Sequence, residues 1–218
     1  MKYAHLAGAI IAATALAAGM PDARADPPAS RAVQVGAFSA IDASRGLRVT
    51  VTPGAPSVTL AGDPNYFDRV KVEVVGDTLK LSRVTGFAWH WGGWRDQVVL
   101  RVTAPTLTAA EASSGSDVKI SLLAAGALSL SASSGGDIRI DGTCGALTAS
   151  ASSGGGVGAK GLRCSSAIGH ASSGGDVSVF ATVSASGHAS SGGDVSIYGP
   201  ARIDEVDESS GGDVNIHH

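Results

Sequence analysis

Six times in its C-terminal half the chain writes Ser-Ser-Gly-Gly-Asp, or a near variant, and follows it with alternating apolar residues. The copies read ASSGSDVKI from Ala112, ASSGGDIRI from Ala132, ASSGGGVGA from Ala151, ASSGGDVSV from Ala171, ASSGGDVSI from Ala189 and ESSGGDVNI from Glu208. Their starts lie 20, 19, 20, 18 and 19 residues apart, too regular for chance and too short for a helical-hairpin repeat. A unit this short cannot bury its own apolar side. It must stack on its neighbours, and stacking makes a solenoid with a continuous core.

With the opening Ala as position zero, positions 6 and 8 are apolar: Val118 and Ile120, Ile138 and Ile140, Val177 and Val179, Val195 and Ile197, Val214 and Ile216. The residue between them is polar, which is the period of a strand with one buried face. A second strand precedes each copy, with Leu128, Leu130 and Ala132, or Leu147, Ala149 and Ala151, pointing inward. The adjacent glycines of the motif supply positive φ for a corner between the two strands. Equivalent strands on successive coils run the same way and pair in parallel. The predicted fold is all-β, a right-handed parallel β-helix (β-solenoid) with coils of about 19 residues, its hand following the preference of crossover connections.

At the N-terminus, Lys2 precedes an Ala-rich apolar stretch from Leu6 to Met20 and then Ala23-Arg24-Ala25, the small-x-small pattern of a cleavable signal peptide. The expected organisation is a signal peptide over 1–25, an extended leader over 26–35, and a single β-helix domain over 36–218. That domain divides into irregular strands over 36–110 and regular coils over 111–218. Cleavage would remove Lys2, Asp22 and Arg24, leaving 14 basic and 18 acidic residues and a net charge of −4. Such a balance gives no basic footprint for nucleic acid, and no second apolar span is present. The expected location is exported, either periplasmic or at the cell surface.

Cys144 and Cys164 are 20 residues apart, one repeat. Equivalent positions on adjacent coils are about 4.8 Å apart, within the Cα separation that a disulfide bridges, and an exported compartment permits oxidation. A disulfide between adjacent coils is the leading expectation, with two buried thiols as its alternative.

Residues 36–110 show the strand alternation without the repeated turn: Leu47, Val49 and Val51; Val58 and Leu60; Val70, Val72 and Val74; Leu79 and Leu81; Val98, Leu100 and Val102. The order of Phe38-Ser39-Ala40-Ile41-Asp42, Leu47-Arg48-Val49-Thr50-Val51, the Gly76-Asp77-Thr78-Leu79-Lys80-Leu81 hairpin, the strand from Val98 to Pro105 and the Ser-Gly-Asp-Val coils resembles the autotransporter-adhesin head family, the GIN domain. The resemblance covers about residues 36–216. It implies an exported β-helical protein of adhesin type, and it brings no catalytic residues with it.

Four groups of residues are candidates for chemistry. Asp117, Asp137, Asp176, Asp194 and Asp213 form a column that Gly156 interrupts. Carboxylates about 4.8 Å apart repel by about 1 kcal/mol in water, so either turn amides or calcium shared between coils must offset them. His170 and His188 precede successive copies, with Asp207 next in the column, a possible transition-metal ladder or a plain stack of imidazoles. His217 and His218 lie just after the last strand, which makes that end a candidate surface for self-association. Finally, Trp89, Trp91 and Trp94 are clustered between two strands, where they could stack on sugar rings or cap the core. The reading these support is a non-enzymatic binding or adhesion module, without a required cofactor, recognising a glycan, peptidoglycan or surface protein. Its rivals are a self-associating envelope protein and a polysaccharide lyase or hydrolase.

Overall fold

The alternating residues do pair in parallel, coil upon coil, as a β-solenoid of about five turns. The computed structural model describes residues 29–84, 98–121 and 124–217, so the expected signal peptide and the Trp cluster lie outside the described residues.

Each coil contributes to two parallel ladders. The first runs through β2 (Ala40–Ala43), β8 (Ala109–Ala112), β10 (Ala125–Ser133), the second halves of β11 (Asp137–Ser152), β12 (Gly156–Ser172) and β13 (Asp176–Ser190), and ends on β15 (Arg202–Ser209). The second runs through β3 (Arg48–Pro53), β9 (Asp117–Ser121), the first halves of β11, β12 and β13, then β14 (Asp194–Tyr198) and β16 (Asp213–His217). The expected inward residues face each other across the gap except in the last coil, where Val214 is only half-buried and Ile216 is exposed because no further coil covers them. Val118, Ile120, Ile138, Ile140, Val177, Val179, Val195 and Ile197 are 0–1% exposed, and Leu128, Leu130, Leu147 and Ala149 oppose them, also buried.

The core tapers along the rod. In one inward column of the first ladder Leu130, Ala149, Gly169 and Gly187 occupy equivalent positions. The lost volume is filled from the facing ladder. A Cβ on Gly169 would stand 2.8 Å from Val195 Cγ1, and one on Gly187 would stand 2.7 Å from Val214 Cγ1, both closer than packed carbons approach.

One tight corner joins the ladders in each coil. Ser134 and Gly135 have φ of 50° and 70°, Ser173 and Gly174 of 50° and 69°. The second Gly then donates back to the first Ser: Gly136 N to Ser133 O at 2.9 Å, Gly175 N to Ser172 O at 3.0 Å. Two left-handed residues closed by such a bond have the form of a type I′ turn. Positive φ therefore falls on the second Ser and the first Gly, not on both glycines as the sequence suggests. The second Gly answers a different demand: a Cβ on Gly155 would lie 2.7 Å from the backbone of Ala132, and one on Gly175 would lie 2.6 Å from that of Ala151.

The N-terminal region also contains this turn, contrary to the sequence reading. Ala43-Ser44-Arg45-Gly46-Leu47-Arg48-Val49 is a seventh copy, with φ of 64° at Arg45 and 70° at Gly46. It is in register with the next copy, Ala43 beside Ala112, Arg48 beside Asp117 and Val49 beside Val118. Arg83 clamps it by donating to the Gly46 carbonyl at 2.9 Å. Replacement of Ser, Gly and Asp by Arg, Leu and Arg hides it from view.

Beyond this first coil the ladders change direction. β6 (Thr78–Arg83) lies parallel to β2 and carries β5 (Val70–Val75) antiparallel on its outer edge. Similarly β7 (Val98–Ala104) lies parallel to β3, with β4 (Ser57–Gly62) and then β1 (Ser30–Val33) antiparallel beyond it. A 3-10 turn at Pro64–Arg69, capped by Asp63, drives Phe67 into the core.

Candidate functional site

Because side chains alternate along a strand, outward residues at one position repeat up the rod as straight columns. Two such columns border a lateral groove of about 360 Å³ on the first ladder. One contains Ser131, Ser150, His170, His188 and Asp207 in register. The other is all serine: Ser133, Ser152, Ser172, Ser190 and Ser209. Small Ala side chains between the columns turn inward, which leaves the hydroxyls and imidazoles standing along the groove.

The His170 and His188 rings stack with centroids 4.8 Å apart and planes 12° from parallel. Partial burial, and then the neighbouring His188, hold the His170 pKa below its ordinary value. Stacked parallel, the rings do not converge on one point, and among the described residues no group of three His, Cys, Asp or Glu side chains gathers as a metal site.

The Asp column follows the corners, with Asp117, Asp137, Gly156, Asp176, Asp194 and Asp213 in register. Arg139 Nη1 approaches Asp117 Oδ1 at 3.3 Å and offsets part of the repulsion at that end. At the interruption Asp137 leans into the free space, its Oδ1 2.7 Å from where a Gly156 Cβ would stand. Corner amides find carbonyl partners on the neighbouring coil, among them Asp176 N to Gly155 O and Asp194 N to Gly175 O, both at 3.0 Å.

The opposite corner of the coil carries the disulfide. Cys144 and Cys164 are bonded, with Cα atoms 4.4 Å apart, as their one-repeat spacing predicts. Beside it lies a cleft that sequence reasoning missed. β12 and β13 lose register between Ala159 and Arg163, so that Lys160, Gly161 and Leu162 bulge relative to β13, while Gly161 and Leu162 stay paired with Asp141 and Gly142 of β11. Leu162 is fully buried and anchors the bulge, while Lys160 and Arg163 point out. Lys160 Nζ sits 4.0 Å from the Tyr198 ring centroid and Arg163 Cζ 4.6 Å from that of Phe180. Tyr198 stacks on His217, with centroids 4.5 Å apart. The sequence did carry a signal: 13 residues separate Ala151 from Cys164, against 10 between Ala171 and Ala181, the next coil's equivalents. This copy is longer than the next by three residues and than the one before by one, Ala132 and Cys144 being 12 apart; such extra residues mark a bulge, and bulges re-aim side chains.

Trp89, Trp91 and Trp94 lie outside the described residues, in the sequence between β6 and β7.

The family described as "Putative auto-transporter adhesin, head GIN domain" matches residues 37–201. Among solved structures, a "putative adhesin" from Bacteroides fragilis superposes with a TM-score of 0.67 at 20% identity, covering 88% of this chain and 97% of that one. A "putative lipid binding protein" from Parabacteroides distasonis gives a TM-score of 0.45 at 17% identity, covering 88% and 97%. A "putative cell adhesion protein" from Clostridium sporogenes gives 0.33 at 10% identity, covering 87% and 99%. No curated protein matches the sequence.

Proposed function

Since the chain belongs to the auto-transporter adhesin head, GIN domain, family, we propose that it is an exported, non-enzymatic binding module that holds an envelope or extracellular polymer along its lateral surface. The observation that carries this reading is the groove on the first ladder. Its hydroxyls and imidazoles repeat coil by coil on a backbone fixed by two hydrogen-bonded ladders. A ligand that itself repeats can meet the same contact at each rung, so that weak individual bonds add. Preformed columns also reduce the ordering entropy that binding must offset. The disulfide fits an oxidising, exported compartment, and among the described residues no helix is long and apolar enough to cross a membrane.

Self-association through the C-terminal coil is less well supported. Ile216 and Val206 are 40% and 44% exposed there, yet Asp204, Glu205, Asp207 and Glu208 line the same rim. Two such rims brought together would repel, a common guard on edge strands.

The test is binding of the purified chain to arrays of glycans, peptidoglycan and matrix proteins. Two folded variants accompany it: Ser150→Glu/Ser172→Glu, which blocks the groove, and Trp89→Ala/Trp91→Ala/Trp94→Ala. Polymer binding lost in the first variant supports the groove, and loss in the second alone moves the site to the Trp loop. Absence of binding to every polymer overturns the reading.

A further inference from the structure

The corner cleft beside the disulfide is a second surface, on the far side of the coil from the Ser-Ser-Gly-Gly turns. It measures about 900 Å³ and is open on its outer side, within the range of small-ligand sites. Its walls come from four successive coils: the bulge supplies Lys160 and Arg163, and the rungs above supply Phe180, Tyr198 and His217 in register.

Two features of this cleft bear on what it can hold. The first is its charge. Arg31, Lys71, Lys80, Arg139 and Arg202 each reach a carboxylate within 4.0 Å. Lys160 and Arg163 are in no such pair among the described residues; they rest on ring faces instead. In a chain of net charge −3, two adjacent cations without a carboxylate partner are positioned for an anion from outside. Asp141 reaches into the space that a Cβ on Gly161 would take, and so stands at the margin of the cleft without pairing with either cation.

The second feature is the way those charges are fixed. A cation held on an aromatic face keeps its outer N–H donors free, and a guanidinium held in place offers a two-pronged match to a carboxylate. Tyr198 and His217 continue as a stacked, partly exposed aromatic surface up the rod. Lys160 and His217 cover the two faces of Tyr198 and Arg163 lies over Phe180, so the stack meets a ligand through ring edges and the exposed His217; these suit the apolar C–H surface of sugar rings, and the cations beside them select for sugars that carry acid groups. The four rungs from Arg163 to His217 extend over about 14 Å, the scale of a short run of polymer. Rigidity comes from beneath, where Leu162 is buried and Cys164, the residue after Arg163, is tied to Cys144.

We propose that the cleft formed by Lys160, Arg163, Phe180, Tyr198 and His217 binds the carboxylated sugar units of an acidic polysaccharide, carboxylates on the two cations and sugar rings against the aromatic ladder. This rests on the polymer-binding reading above and names a ligand class for it at a different face. The cations belong to one bulge, so the site is confined to this part of the rod and does not repeat along it.

The experiment is calorimetric titration of the full chain with oligogalacturonate, with a neutral cello-oligosaccharide and with a single-stranded oligonucleotide, at low and high salt. The partner variants are Lys160→Gln/Arg163→Gln, exposed changes that leave the core intact, and Tyr198→Leu. The expected result is salt-sensitive oligogalacturonate binding that falls about tenfold or more in the double variant and severalfold in Tyr198→Leu. Unchanged oligogalacturonate binding in the double variant overturns the site. Preference for the oligonucleotide overturns the ligand class. Binding of the neutral oligomer alone, indifferent to Lys160 and Arg163, overturns this inference while supporting the broader polymer reading; no binding to any of the three, with none on the wider arrays, overturns both.

Discussion

The N-terminal and C-terminal parts of the rod meet the same stacking requirement with different means. Up to β7 the core is built from large side chains, including Leu47, Leu60, Leu79, Leu81, Leu100, Phe38 and Phe67, and the ladders end in antiparallel strands. From β11 onward it is built largely from Ala, Val and Gly in near-identical coils. Where neighbours differ, side chains of different size set the fit. Where neighbours repeat, fit is set by how closely two backbones approach, and glycine becomes obligatory. Ser116 marks the boundary. It stands where the later copies have their second Gly, is 1% exposed, and accepts the Leu47 N–H at 3.2 Å through its hydroxyl. The coil on its far side is the altered first copy, which leaves room for a Cβ.

The comparison breaks most visibly at that one position. Gly175→Ala places a methyl against the Ala151 backbone, which cannot rotate away as a side chain would, and should cost about 3 kcal/mol or more, or prevent folding. Ser116→Ala, at the same point of the first regular copy, should cost only about 1 to 2 kcal/mol by leaving a buried amide without its acceptor. Denaturant unfolding of both variants gives the two numbers. Equal losses would mean that the turn position is not read differently in the two regions.

The disulfide offers a smaller effect with a regional signature. Its 20-residue separation corresponds to about 3 kcal/mol of loop entropy withheld from the unfolded chain. In Cys144→Ala/Cys164→Ala, stability should fall by about 2 to 3 kcal/mol. Hydrogen exchange should then quicken mainly over residues 125–190 and hardly over β3 and β7, because solenoid coils contact chiefly their neighbours. A uniform rise across both regions would show the rod to be one cooperative unit, and the distinction between its halves would be geometrical only.

How much of this was legible beforehand follows the same division. The coil length, the inward residues from Val118 to Ile197 and the Cys144–Cys164 bond could be read because repetition turns one coil's physics into many observations. The seventh turn could not, because Arg45, Leu47 and Arg48 replace the residues that define the motif while the backbone keeps its shape. The roles of Ser and Gly within the corner were also assigned one residue late. Composition shows that positive φ is needed, whereas only the stacked neighbour shows which glycine is demanded by proximity. Antiparallel capping by β1, β4 and β5 has no signature in a period-two pattern, since either pairing direction gives the same alternation. The corner cleft was hidden for a related reason: an excess of three residues over the next coil is visible by counting, but its effect is to bring Lys160 onto Tyr198, which is two coils away.

The smallest expected effect concerns protons, and it sharpens the contrast because the described residues of the N-terminal region hold no histidine. His170 is partly buried against His188, and both burial and that neighbour lower its pKa. Unfolded, the same imidazole titrates near its ordinary value of about 6.5. Between the lowered folded value and that ordinary value the unfolded chain binds more protons than the folded one. The stabilisation is therefore fully present above about pH 6.5 and is lost as the pH falls through the window beneath it. Asp207, in register with His188, is the acidic neighbour of the pair. A series of melting curves between neutral and mildly acidic pH should show the chain losing stability on acidification, with a shallower slope in His170→Gln. Hydrogen exchange at the two extremes should place the change in β12, β13 and β15 and leave β3 and β7 unaltered. A slope identical in the variant would assign the acid sensitivity to the carboxylates instead, and the stacked histidines would then contribute nothing to how the two halves of the rod differ.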